Sequence, residues 1–320
     1  MMSAEISYLD EPSPRRRPRW RLRILAAVSA TLFGLYGFAQ LDRATAERLG
    51  PVGEAAHNLL SPKDTDRLGD SPAARRFKAD VKALHATPSV AVSNPGVLGI
   101  FGRAEDYNVN THDPAFDDAA LAHLADRHGD RITALLLQGT AVTDAGLAAL
   151  ARFPRLRQLA ISQPPVWTKA GAAPTPSPGR ITDAGMVHLG GLDSLTTLSL
   201  NYLPITDAGL AAIRDLPTLN SLYLHGTRVE GRDLAAAKWL PRLSILYLDN
   251  TPFSEDGIKS LRGATSLQVL SLDRVPLESS ALPLLQALPP RLDQLDLTGC
   301  GFLDEEVATL ARPGLKITRH

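Results

Sequence analysis

The chain has 320 residues, with 34 Lys plus Arg set against 34 Asp plus Glu, and one cysteine. Zero formal charge gives no global pull towards nucleic acid, and a single thiol excludes an intramolecular disulfide. Aromatic residues make up only 5%, so any core is filled mainly by the abundant Leu and Ala.

Residues 1–23 are polar and then basic, with arginines at positions 15, 16, 17, 19, 21 and 23. The next 18 residues, 24–41, carry no charge. As a helix they rise about 27 Å, close to the bilayer core of about 30 Å. This stretch is expected to be a transmembrane signal anchor. Arginine on its N-terminal side places residues 1–23 in the cytoplasm and the remainder outside it. Gly37-Phe38-Ala39 supplies a small-x-small sequence. The alternative is therefore a cleaved signal and a secreted or periplasmic product. Residues 42–115 show no repeat and read as a stalk leading into a partly ordered cap. Within them, Ser71-Pro72 marks a helix start, with Phe77, Val81 and Leu84 at helical spacing. SVAVS (89–93) and VLGIF (97–101) read as short strands.

From Phe116 a grammar sets in. FDDAALAHL aligns with ITDAGLAAI of 205–213 and is the expected N-terminal cap of an array. Full units start at Ile132, Leu156, Leu195, Leu219, Leu243, Leu267 and Leu292, at intervals of 24, 39, 24, 24, 24 and 25 residues. The long interval contains a 15-residue insertion. It falls in a proline-rich loop, 164–180, with prolines at 164, 165, 174, 176 and 178 and one large apolar group, Trp167. LKI at 315–317 closes the array. In each LxxLxL the last two leucines alternate as one face of a strand. Thr143, Thr182, Thr206 and Ser254 stand at helix N-cap positions. Asp144, Asp183 and Asp207 follow, where a carboxylate favours the positive end of a helix of about two turns. Each unit buries about six aliphatic side chains, worth at most about 1.5–3 kcal/mol apiece, and none can do so alone. The expected fold of 116–320 is thus an α/β solenoid, with a concave parallel sheet of strands about 4.8 Å apart and convex helices.

Thr143–Leu147, Thr182–Met186 and Thr206–Leu210 resemble the leucine-rich repeat family, in the TDAGL form common in bacterial repeat proteins. They are also similar to the repeats of F-box substrate receptors and ribonuclease inhibitor. Later units drift to VEGRDL, FSEDGI, PLESSAL and FLDEEV. The resemblance implies protein recognition on the concave face or an edge. A cytoplasmic adaptor of the F-box-related kind is an alternative, opposed by the apolar 24–41 segment.

Alternate strand residues face the concave surface. One column reads Leu136, Ala160, Ser199, Tyr223, Tyr247, Ser271, Asp296; the next reads Gln138, Ser162, Asn201, His225, Asp249, Asp273, Thr298. Tyr223, His225, Tyr247, Asp249 and Asp273 therefore cluster, as an aromatic pair with a polar border suited to a protein partner. His225 with Asp249 lacks an evident nucleophile, so no catalytic residue is assigned; an enzyme with its site in 42–130 is the remaining alternative. His112, Asp113, Asp117, Asp118, His123, Asp126 and His128 match no metal spacing, and neither a metal nor a cofactor is expected. Cys300 occupies the turn position held elsewhere by Thr140, Thr227 and Thr251, which points to a structural role. The expected whole is a membrane-anchored, extracytoplasmic, non-enzymatic protein. It binds an unknown protein, contacts the membrane through residues 24–41 and binds no nucleic acid.

Overall fold

The computed structural model describes residues 72–93, 104–163 and 180–319. The basic N-terminus, the 24–41 segment, VLGIF and the Trp167 loop lie outside the described residues. Asp70–His320 form one compact unit.

Among the described residues, ten strands make a single sheet in strict sequence order. The first two are β1 (Thr87–Ser93) and β2 (Ala104–Thr111), which pair antiparallel. From β2 onward every neighbour is parallel, through β3 (Ile132–Gln138), β4 (Gln158–Ser162), β5 (Thr197–Ser199), β6 (Ser221–Tyr223), β7 (Ile245–Tyr247), β8 (Val269–Ser271), β9 (Gln294–Asp296) and β10 (Lys316–Thr318). The register stacks one leucine per unit: Leu135, Leu159, Leu198, Leu222, Leu246, Leu270 and Leu295 align across the sheet, and all are buried. Leu137, Ile161, Leu200, Leu224, Leu248, Leu272 and Leu297 form a second buried row two residues on. Two inward residues per strand are enough for a core shared with the neighbouring units, which is why strands of three residues persist.

The sheet begins before Phe116. Helix α1 (Pro72–Ala83) buries Phe77 and Val81, and the Phe77 ring stacks on Tyr107 of β2 at 4.3 Å. Helix α2 (Asp118–His128) adds Leu121 and Leu124. The first unit of an array has one apolar face without a neighbour, and here a helix and an antiparallel strand pair cover it. These elements need no repeat spacing, so periodicity along the chain does not mark them. At the other end Leu315 and Ile317 are only partly buried.

The outer layer is thinner than two-turn helices. Units with α-helix hold α3 (Asp207–Ala212), α4 (Glu255–Ser260), α5 (Leu282–Gln286) and α6 (Asp304–Ala308), five or six residues each. Gly146–Arg152 and Gly185–Leu189 are 3-10 helices. A unit of 24 residues that also supplies a strand and two tight turns leaves little chain for the convex side. Thr206 and Ser254 are N-caps, as expected, accepting from the amides of Ala208 and Gly257.

The aspartates do something the helix-dipole argument misses. Asp118 accepts from the amide and hydroxyl of Thr143 at 2.7 and 2.6 Å. Asp144 does the same for Thr182 (2.7 and 2.7 Å), and Asp183 for Thr206 (2.8 and 2.5 Å). Each carboxylate therefore binds the Thr of the following unit. It also lies over the glycine three residues beyond that Thr: a Cβ added at Gly146, Gly185 or Gly209 would sit 2.0, 2.3 or 2.4 Å from the preceding unit's Asp Oδ1. The Thr-Asp-x-Gly motif is thus one device, with a donor, an acceptor and a space. Asp207 ends the run by accepting from the amides of Glu230, Gly231 and Arg232.

Candidate functional site

The two concave columns fall in the expected register, with Ser199, Tyr223, Tyr247, Ser271 and Asp296 opposite one another. Adjacent parallel strands bring equivalent side chains within one strand spacing. The Tyr223 and Tyr247 rings accordingly stack at 5.1 Å between centroids, 11° from parallel. His225 tilts against Tyr247 at 5.3 Å. Its Nδ1 lies 2.8 Å from Asp249 Oδ2, a contact in which the imidazole N–H donates to the carboxylate.

The expectation of solvent-facing tyrosines is not met: Tyr223 is 2% exposed and Tyr247 8%. Burial pushes the Tyr223 phenol above its usual range. Its hydroxyl has no hydrogen-bond partner, so a buried polar group is left unsatisfied on the concave side.

Asp249 is 7% exposed and fully engaged. Besides His225, it accepts from the Ser271 hydroxyl and from the Asp273 amide at 3.1 Å. Asn201 likewise accepts from the His225 amide, so this column ties successive units together. Asp273 is different. Its Oδ1 is buried without a partner, and Arg274 stands 3.7 Å from Oδ2. Burial raises its carboxyl above the ordinary aspartate value, with Arg274 opposing and Asp249 and Asp296 adding to the rise. The structure therefore brings all five predicted residues together. Asp249 is part of the scaffold, and Asp273 is the carboxylate short of donors.

Chemically the cluster suits recognition. Ser271 donates to Asp249 rather than to the imidazole, so its hydroxyl is not aligned for attack by way of His225. Cys300 is buried, its Sγ–H donates to the Leu272 carbonyl, and burial pushes the thiol up to about 12. Thr227 and Thr251, at the equivalent position, donate instead to the carbonyl three residues back in their own unit, Leu224 and Leu248. The polar residues around α2 are distributed among structural tasks. Asp117 caps the helix, Asp118 binds Thr143, Asp126 pairs with Arg152, and His128 contacts Asp80 at 3.0 Å. No group of three or more metal-ligating side chains converges among the described residues.

Sheet order, shared leucine rows and inter-unit hydrogen bonds define a solenoid of stacked α/β units. No protein-family model matches the chain, and no curated protein sequence does. Among solved structures, internalin C2 from Listeria monocytogenes is similar at 19% identity, covering 78% of this chain and 93% of that one, with a TM-score of 0.47. The Rad7 and Elc1 complex in yeast is similar at 20% identity, covering 65% of this chain and 59% of that one, with a TM-score of 0.45.

Proposed function

We propose that this protein is a membrane-anchored, extracytoplasmic leucine-rich repeat protein that binds another protein on its concave face without catalysis. The observation that carries the reading is the packed Tyr223–Tyr247 pair beside an oriented His225–Asp249 pair and the under-satisfied Asp273. Such a cluster presents a rigid aromatic support with polar groups already held in place, which lowers the ordering cost of association. Tyr223 and Tyr247 buttress; His225 and Asp273, half-buried, form the border a partner touches. The uncharged 24–41 segment and the arginines before it support the anchor and its orientation. Among the described residues no helix is long and apolar enough to cross a membrane. Capture of partners with the full chain as bait tests the reading. Tyr247→Ala with Asp273→Ala, in a variant whose circular dichroism matches the parent, is expected to lose about 2 kcal/mol or more of binding. Binding through aspartate also weakens with salt. Undiminished, salt-independent binding would move the site off the concave face.

A further inference from the structure

The two edges of the solenoid carry opposite charge. The loops that lead from the outer layer into the strands span 126–131, 152–157, 190–196, 213–220, 237–244, 261–268, 286–293 and 311–316. They hold twelve Lys or Arg against five Asp or Glu. The loops leaving the strands, 111–118, 138–146, 180–185, 201–209, 225–233, 249–257, 273–281 and 298–306, hold four against sixteen.

The fold accounts for much of the acidic edge. Asp118, Asp144, Asp183 and Asp207 bind the next unit, Asp117 caps α2, and Glu306 accepts from the Leu303 amide. The basic edge is explained only in part: Arg127, Arg131, Arg152, Arg214 and Lys238 pair with carboxylates, and Arg242 and Arg312 donate to carbonyls. Helix dipoles favour cations only within the last turn. Arg157 and Arg291 each lie five residues beyond the end of the preceding outer segment, at Arg152 and Gln286. Arg157, Arg262 and Arg291 are exposed and have no ion-pair partner among the described residues. Exposed cations of this kind before β4, β8 and β9, spread along one edge, fit a flat, extended anionic surface better than a point ligand.

We propose that this basic edge docks the solenoid edge-on against an anionic phospholipid surface, a placement that rests on the membrane-anchored reading above. The acidic edge then faces away, and repulsion from the same lipids enforces the orientation. Attraction per basic group near such a surface is modest, acts within a Debye length and adds along the row.

The test uses the full chain reconstituted into lipid nanodiscs, either of phosphatidylcholine alone or with about one third phosphatidylglycerol. Ala287→Cys on the basic edge or Glu305→Cys on the acidic edge carries an acceptor dye, Cys300 being buried, and the headgroups carry the donor. Energy transfer to position 287 should be at least about twofold higher in the anionic discs than in the neutral ones. Position 305 should show no such gain. Arg157→Glu with Arg262→Glu and Arg291→Glu should abolish the difference, as should about 0.5 M salt. Transfer that ignores lipid charge, or is equal at the two positions, overturns the proposal. If the chain fails to enter discs and is released from membranes by carbonate, the anchor reading fails instead. Sedimentation of the released chain with anionic vesicles then decides the edge. Binding lost in the triple variant supports it, and no binding overturns it.

Discussion

Asp273 holds the least satisfied carboxylate of the concave face, and this has a measurable thermodynamic sign. Its carboxyl is raised in the folded chain, chiefly by burial. The folded state therefore binds that proton more tightly than the unfolded state. The favourable contribution is complete below the unfolded value of about 3.9 and is lost as pH rises through the folded value. At neutral pH the ionised group is a liability. Asp273→Asn should raise the urea midpoint at pH 7 by the equivalent of about 1 kcal/mol. The gain should shrink as pH falls through the raised folded value and vanish once the parent is protonated. A lower midpoint at pH 7 would show that Oδ1 has a favourable partner. Cys300 gives a second residue-level test. Because Thr227 and Thr251 fill the equivalent position with a hydroxyl bonded to the carbonyl three residues back, Cys300→Thr should stay within about 0.5 kcal/mol of the parent, while Cys300→Ala loses about 1 kcal/mol. Denaturation midpoints check both.

At the scale of the element, the Thr-Asp-x-Gly device predicts coupling between units. Asp183→Ala removes two hydrogen bonds to Thr206 and should cost about 2–4 kcal/mol. Gly209→Ala drives a methyl into Asp183 Oδ1 and should cost about 2 kcal/mol. With Asp183 already truncated, the second change should cost less, the remaining close contacts being side-chain atoms of Ile205 at 2.9 Å and Met186 at 3.1 Å. Strict additivity in a double-mutant cycle would reject the device. The sequence shows the strands, the concave register and the caps at Thr206 and Ser254, because periodicity and local side-chain chemistry set them. It does not show which unit each aspartate serves: the 3.6- and 2-residue periods describe an element, whereas these bonds join residues about one unit apart. The covering of the first unit by α1, β1 and β2 is hidden for the same reason, as is the closure of Tyr223 to water. Both depend on what packs across a face and not on the order of residues along it.

Across the whole molecule, stability is a sum over neighbours. Leu222 is fully buried in the central strand row, and Leu222→Ala should cost about 2–5 kcal/mol. Damage passes mainly to the adjoining units, so the unfolding transition should broaden or divide instead of shifting intact. A sharp, simply displaced transition by both circular dichroism and tryptophan fluorescence would mean that the array unfolds as a single cooperative block. The spacing of the aspartate contacts carries a further consequence. Asp144 reaches Thr182 across 38 positions with the same two bonds that Asp183 makes to Thr206 across 23. Extra chain can therefore enter between a strand and the next threonine without altering how successive turns of the coil seat on each other. That junction is a socket: foreign peptide of comparable length, spliced after Gln138 or Asn201, should be carried as cargo by an otherwise unchanged scaffold.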